Sequence, residues 1–482
     1  MSWPGLTIAA ARFSPQAEPV KIRRNRRQST RGTKAIRQTR RTWHTITTMN
    51  TTADIVVTGT HRLSGTILAS GAKNSVLKLM AATILVADSA RITNVPAISD
   101  VYTMMEVLSA LGARVDLVVQ DSQPAPAFSS PAATLNIDTS NLTNFKAPAE
   151  LVNKMRASIA VLGPLLGRYH QAQVAVPGGC QIGERKLDIH FAALEALGMQ
   201  FETDDTYIYA RAPGGLRGAT VPLRFPSVGA TENLMMAAVL AHGTTVIDNA
   251  AREPEIGDLA DYLNAMGARI HGAGSSQIHI EGVTELHPTD YQTIGDRIEA
   301  ATFLVAAALT GGRVTVTGIR PSSLSTALMK LEDMAIHVEK TEQSITVWRD
   351  ASQPIRATDI QTLPFPGFPT DLQAIFMVLA CLASGESHLT ENIYEDRFHH
   401  ARWLSEMGAH ITLTGRRATV HGVDRLHGAT VTASDLRGGA ALVLAGLAAV
   451  GQTRVTETGY IDRGYQHFVQ KLRSLGAEID RA

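Results

Sequence analysis

A chain of 482 residues, 44% of them apolar and with a net charge of +1, is long enough for two or more domains with ample cores. No apolar run is long and uninterrupted enough to cross a membrane, and no apolar h-region marks a secretory leader. The two cysteines stand in unlike surroundings, which argues against a disulfide or a metal site and suits a reducing, cytoplasmic compartment.

The charge is unevenly spread. Residues 1–50 hold 11 Lys/Arg against one acid, Glu18, and the remainder has 34 basic against 43 acidic residues. The Arg-rich segment lacks apolar periodicity, so residues 1–52 are expected to be a disordered extension. A transit peptide or a nucleic-acid-binding arm shares that composition, but we read the segment as dispensable, with Met49 just ahead of the first strand-like run, Ile55-Val56-Val57-Thr58-Gly59.

From there the chain repeats. Each unit has an apolar helix, a Gly-containing turn, a short β-branched strand, a loop, an amphipathic helix and a closing turn into another strand. The closing turns are Leu111-Gly112-Ala113, Leu197-Gly198-Met199, Met266-Gly267-Ala268, Met334-Ala335-Ile336, Met407-Gly408-Ala409 and Leu475-Gly476-Ala477. Glycine after the helix fits a C-cap. Val314-Thr315-Val316-Thr317 and Thr453-Arg454-Val455-Thr456 read as strands, and Val378 to Ala383 and Ala440 to Ala449 read as helices buried nearly all round. Six βα units predict an α/β protein of two three-unit domains, helices inside and sheets outside, with a site in the cleft between them.

Polar signals gather at unit starts. Ser70-Gly71-Ala72-Lys73-Asn74 opens the first apolar helix, and Phe225-Pro226-Ser227-Val228-Gly229-Ala230-Thr231 opens the third. Free N–H groups at such ends suit phosphates, although Ser227 also fits a plain N-cap. Pro177-Gly178-Gly179-Cys180-Gln181-Ile182-Gly183-Glu184-Arg185 sets a cysteine on a glycine-rich loop beside an arginine. A neighbouring cation favours a reactive thiol; a turn with a small buried Cys is the alternative. Cys381, inside Phe376 to Leu382, reads as core. Arg156, Arg297, Arg397, Arg437 and Arg463 recur beside turns, four of them next to or near an aspartate. Each Asp–Arg neighbour fits a structural pair; together they fit a ring of cations around a polyanion. Asp371, in Phe368-Pro369-Thr370-Asp371, fits either a helix cap or a general base.

Gly71-Ala72-Lys73-Asn74, the Cys180 loop, Ser227 to Thr231, Ala251-Arg252-Glu253-Pro254-Glu255, Phe368 to Asp371, Asp435-Leu436-Arg437 and Asp462-Arg463-Gly464-Tyr465 resemble, in order over residues 53 to 480, the UDP-N-acetylglucosamine 1-carboxyvinyltransferase family of enolpyruvyl transferases. The related shikimate enzymes lack the Cys loop and match less well. The resemblance implies a two-domain inside-out α/β barrel, with residues 73–294 as domain I and residues 53–72 with 295–482 as domain II. It implies the first committed step of peptidoglycan synthesis. Lys73, Arg185 and Arg463 would hold the phosphate of phosphoenolpyruvate, with Arg397 and Arg437 near its carboxylate. Asn74, Arg156, the segment Arg185, Lys186, Leu187, Asp188 and Ile189, the segment Phe225, Pro226, Ser227, Val228 and Gly229, Asp371 and the backbone at Ile393 would bind the uridine nucleotide. Asp371 would be the base and Cys180 the acid, with Lys73 and Arg463 also catalytic. No metal or organic cofactor is implied, and neither membrane nor nucleic acid is an expected partner.

Two positions depart from the family. Lys186 replaces a proline beside the base-binding segment, and Asp396 replaces an asparagine beside Arg397. They leave open a paralogue that transfers enolpyruvyl to a free nucleotide such as UMP, in nucleoside-antibiotic synthesis. A non-catalytic sensor of the nucleotide would keep the arginines but has no need of Cys180 and Asp371 together.

Overall fold

β-branched runs flanked by glycine form the strands, and alanine- and leucine-rich runs form buried helices, in a computed structural model that describes residues 53–59, 61–119, 133–176, 187–350 and 352–482. The basic extension and the Cys180 loop lie outside the described residues. One sheet shows the pattern. Thr220–Pro222 runs parallel to Thr244–Asp248, which pairs antiparallel with Gln277–Glu281, itself antiparallel to Arg269–His271. The same order of one parallel and two antiparallel pairings recurs in five further four-stranded sheets among the described residues. The repeat seen in the sequence is therefore a repeat of sheet topology.

Each sheet is served by one helix apolar on nearly every face and one amphipathic helix. Arg297–Thr310, Gln373–Cys381 and Leu436–Ala448 are buried along almost their whole length. His399–Glu406, by contrast, buries only His400, Ala401 and Leu404. The expected helix through Ala383 stops at Cys381; Ala383–Ser384 turns into a short strand paired with Ile355–Arg356. Cys381 is fully buried, and that burial pushes its thiol up to about 12.

The six closing turns share one backbone state. Gly112, Gly198, Gly267, Gly408 and Gly476 all have φ near +100°, and Ala335 takes the same role at +62°. Five glycines supply this conformation without a Cβ penalty, and Ala335 adopts it against that penalty.

Buried apolar residues fall in two groups, one from residues 55–69 with 298–479, the other from 76–286. The chain passes between them twice, and the two passages touch. Gly71 bridges Gly295, the Ala72 N–H donates to the Ile294 carbonyl, and the Asp296 N–H donates to the Ser70 carbonyl. A Cβ on Gly71 would fall 1.7 Å from the Asn94 carbonyl oxygen, so glycine is required by this approach. Each passage also lends a strand. Ser64–Leu68 pairs with Arg313–Thr317, and Asp290–Gln292 pairs with Ser89–Val95. No helix of the described residues is long and apolar enough to cross a membrane.

Candidate active site

The passages place the first functional side chains. Helix Lys73–Ala82 has no cap from Ala72; instead the Lys73 N–H donates to Asp296 Oδ2 at 3.0 Å. Asp296 Oδ1 caps its own helix, accepting from the Ile298 and Glu299 N–H groups at 2.8 and 3.0 Å. One carboxylate thus fixes two helix starts, one at the head of each buried group. Behind it, the Ser70 N–H donates to Glu299 Oε2 at 2.6 Å, and Lys471 Nζ lies 2.8 Å from both Glu299 Oε1 and Ser70 Oγ.

In front of these helix starts is a cavity of about 490 Å³, lined from both groups. Among the described residues it is lined by Lys73, Asn74, Arg156, Phe225, Pro226, Ser227, Val228, Gly229, Asp371, Ile393, Arg397, Arg437 and Arg463, all anticipated, and by Arg297 of the arginine series. Leu187, Asp188 and Ile189 are not in the lining. Asp188 opens helix Asp188–Ala196, where it accepts from its neighbour's N–H at 2.9 Å and pairs with Arg224. Cys180, Arg185 and Lys186 lie outside the described residues.

The Asp–Arg neighbours do not pair with each other. Arg397 donates to Asp371 Oδ1 at 2.6 Å, with Arg437 Nη2 3.7 Å from Oδ2 and Asn74 Nδ2 at 3.4 Å. Arg297 donates from Nε to Glu255 Oε1 at 3.0 Å. Arg463 donates from Nε to Asp100 Oδ1 at 2.9 Å, and Lys73 Nζ is 2.9 Å from Asp100 Oδ2. Asp435 instead caps helix Leu436–Ala448. Asp396 lies 3.2 Å from His399 Nε2. As a cap, Asp371 fails: it sits in the 3₁₀ turn Thr370–Leu372 and makes no capping bond. Ser227, by contrast, is an N-cap and a cavity residue at once.

Electrostatics follow from burial and these partners. Burial alone would raise the Asp371 carboxyl, but Arg437 and Arg397, with Arg297 behind them, hold it far below the usual range. Burial lowers the Lys73 ammonium, helped by Arg437 and Arg463 and opposed by Asp100. Burial, with Arg156 nearby, lowers His190 to about 4, so the ring is neutral near pH 7. His190 Nδ1 has no hydrogen-bond partner among the described residues, and a Cβ on Gly229 would fall 2.8 Å from its Nε2. Burial raises Glu232 to about 7, against the pull of Lys78 3.3 Å away and with Glu255 and Glu253 adding to the rise.

Sequence reasoning passed over Asp100, Lys78, His190 and Glu232. Asp100 follows Ser99 at the start of an amphipathic helix and reads as an ordinary first-turn acid; no local feature sets it apart. Glu232, at a position buried on every side, was the stronger signal, because an acid in an otherwise apolar run needs a partner.

At the site four cations are interleaved with two carboxylates, and helix Val228–Ala238 starts at the cavity wall, where N-terminal N–H donors suit an anion. The family profile described as EPSP synthase (3-phosphoshikimate 1-carboxyvinyltransferase) matches residues 57–472. A UDP-N-acetylglucosamine 1-carboxyvinyltransferase of Ruegeria pomeroyi is 49% identical over 427 residues, covering 89% of this chain and 99% of the relative. One from Paracoccus denitrificans is 48% identical, covering 89% and 98%. Among solved structures, the enolpyruvyl transferase NikO from Streptomyces tendae has a TM-score of 0.77 at 24% identity, covering 89% of this chain and 98% of that one. EPSP synthase from Acinetobacter baumannii has a TM-score of 0.65 at 18% identity, covering 89% and 100%. At these identities the structures establish a shared mixed α/β fold. With about half of all positions identical across nearly the full length of the relatives, the chain belongs to the UDP-N-acetylglucosamine 1-carboxyvinyltransferase family of enolpyruvyl transferases.

Proposed function

We propose that the protein transfers the enolpyruvyl group of phosphoenolpyruvate to the 3-hydroxyl of UDP-N-acetylglucosamine and releases phosphate, in the cytoplasm, as the first committed step of peptidoglycan synthesis. The observation that carries this reading is a family relationship near 49% identity joined to a cavity whose cations suit a small polyanion. The two buried groups support a division into domains of residues 73–294 and of 53–72 with 295–482, each an inside-out α/β barrel of three units.

In this reading Lys73 and Arg463, with Arg185, hold the donor phosphate, and Arg397 and Arg437 hold its carboxylate. Asn74, Arg156 and the segment 225–229 hold the nucleotide sugar. The Ile393 N–H is already given to Glu391 Oε1 at 2.8 Å, so any contact from that backbone falls to its carbonyl. Asp371 takes the proton of the 3-hydroxyl as its oxygen bonds to C2 of the donor, and Cys180 gives a proton to the methylene carbon. The resulting tetrahedral intermediate loses a proton from that carbon and expels phosphate, restoring the double bond. The cations stabilise the donor anion throughout, while acid and base act on opposite sides of the double bond.

The relatives' names favour the nucleotide sugar over a free nucleotide. Phosphate release with phosphoenolpyruvate and either UDP-N-acetylglucosamine or UMP tests the choice; faster turnover with UMP reverses it. An electrophilic donor mimic should label Cys180 and spare Cys381, and Cys180→Ser should lose turnover about 10²–10⁴-fold while Cys180→Asp keeps activity. Equal labelling of both cysteines would remove Cys180 from its role.

A further inference from the structure

Asp100 lies in the first turn of helix Ser99–Leu111, in the group of residues 76–286. Its side chain is 5% exposed, yet it lines the cavity and holds two cations that reach it from separate parts of the chain. Lys73 comes from a passage between the groups, with Nζ 2.9 Å from Asp100 Oδ2. Arg463 comes from the other group; its Nε donates to Oδ1 at 2.9 Å and its Nη2 to Oδ2 at 3.4 Å. Both carboxylate oxygens are engaged, in the forked geometry that orients a guanidinium best.

A second feature is independent of the ion pairs. Gly464 follows Arg463, and a Cβ there would lie 3.3 Å from Lys73 Cδ and 2.7 Å from a Leu436 methyl. The residue after Arg463 has given up its side chain where the Lys73 stem passes. The backbone that carries Arg463 is therefore packed close to the Lys73 stem, in addition to the bridge through Asp100.

Left alone, two such cations repel each other. Asp100 removes one of the two positive charges and leaves a net positive pair facing the cavity. In return Lys73 and Arg463 keep the Asp100 carboxylate ionised against its burial.

We infer that Asp100 is a positioning residue that fixes Lys73 and Arg463 side by side as a single receptor for the phosphate of the enolpyruvyl donor. The identity of the anion rests on the function proposed above; the pairing of the cations does not. Asp100 touches neither substrate in this scheme and acts through the two cations.

The test compares wild type with Asp100→Asn, which keeps the shape and removes the charge. Inorganic phosphate is titrated by calorimetry, and steady-state constants are taken for donor and acceptor separately. Phosphate binding should weaken and the donor KM should rise, each about 10–100-fold, as expected when a binding group is misplaced by about an ångström. The acceptor KM should hold. Tighter phosphate binding in the variant overturns the inference, because Asp100 would then only compete with phosphate for the cations. A joint rise of both KM values also overturns it, since that is what a general loss of structure gives. If wild type binds phosphate but transfers no enolpyruvyl group, the functional reading fails and the phosphate titration alone decides the role of Asp100. Should Asp100→Asn not fold, Asp100→Glu carries the same comparison. It keeps the charge but moves it outward by one methylene, and unchanged phosphate affinity there overturns the inference.

Discussion

Two carboxylates in the cavity each stand between two cations, and they differ in how firmly they are held. Asp100 is 5% exposed and meets Lys73 and Arg463 at 2.9 Å each. Asp371 is 27% exposed, with one short contact to Arg397 at 2.6 Å and one long contact to Arg437 at 3.7 Å. Burial and bidentate contact make the first a fixed strut. The second sits on the cavity wall with one oxygen weakly engaged, so a ligand that takes the arginines can release it. The base role proposed for Asp371 requires such a release, because in its paired state its proton affinity is too low to draw a proton from a hydroxyl.

The largest expected effect tests that contrast directly. Asp371→Asn should lower kcat by about 10²–10⁴-fold with little change in donor KM, the loss expected for a positioned base. Asp100→Asn should act mainly on donor KM. Steady-state kinetics with both substrates varied separates the two, and an equal loss of kcat in both variants would erase the distinction.

A third carboxylate sharpens the comparison with the opposite sign. Glu232, raised by burial to about 7, holds its proton in the folded state at a pH where the unfolded chain has lost it. Stability therefore falls as pH rises from the unfolded value of 4.5 towards 7. Asp100, whose carboxyl is held low by Lys73 and Arg463 against its burial, contributes stability at neutral pH that fades as pH drops below the unfolded value. Denaturant melts at pH 5 and pH 8 should show Glu232→Gln gaining on wild type by up to about 3 kcal/mol over that interval. Parallel curves would place the proton elsewhere.

Two smaller changes probe the Asp371 side alone. Arg397→Met removes its short contact and should raise donor KM about 10–100-fold, corresponding to a lost charge-assisted bond of about 1.5–3 kcal/mol. Asn74→Ala removes only a 3.4 Å contact, and it should change kcat by less than about tenfold, in line with a neutral-donor bond near 1 kcal/mol. A loss in Asn74→Ala as large as in Asp371→Asn would mean that Asn74, not the arginines, sets the carboxylate.

The repeat was legible in the sequence because its signal is local. A helix C-cap needs a residue at positive φ, glycine supplies it five times, and Ala335 fits because the flanking Met334 and Ile336 keep the pattern. The helix starts at Lys73 and Val228 were legible for the same reason. The ion pairs were not. Asp–Arg neighbours in the sequence suggest partners one or two residues apart, whereas the true partners lie 26, 42 and 363 residues away. Cap bonds and side-chain direction turn each neighbouring aspartate to other work. Asp100 was invisible because its importance comes from what the chain brings to it.

The strand Ile55–Thr58 lies between Gln452–Thr456 and Glu478–Arg481. Nearly the first described residues are therefore held by nearly the last. During synthesis the group of residues 76–286 can assemble once Asp290–Gln292 has left the ribosome, because that strand completes its first sheet. In the other group Ser64–Leu68 can pair once Arg313–Thr317 has emerged, whereas Ile55–Thr58 must wait unpaired for Gln452–Thr456 and then Glu478–Arg481.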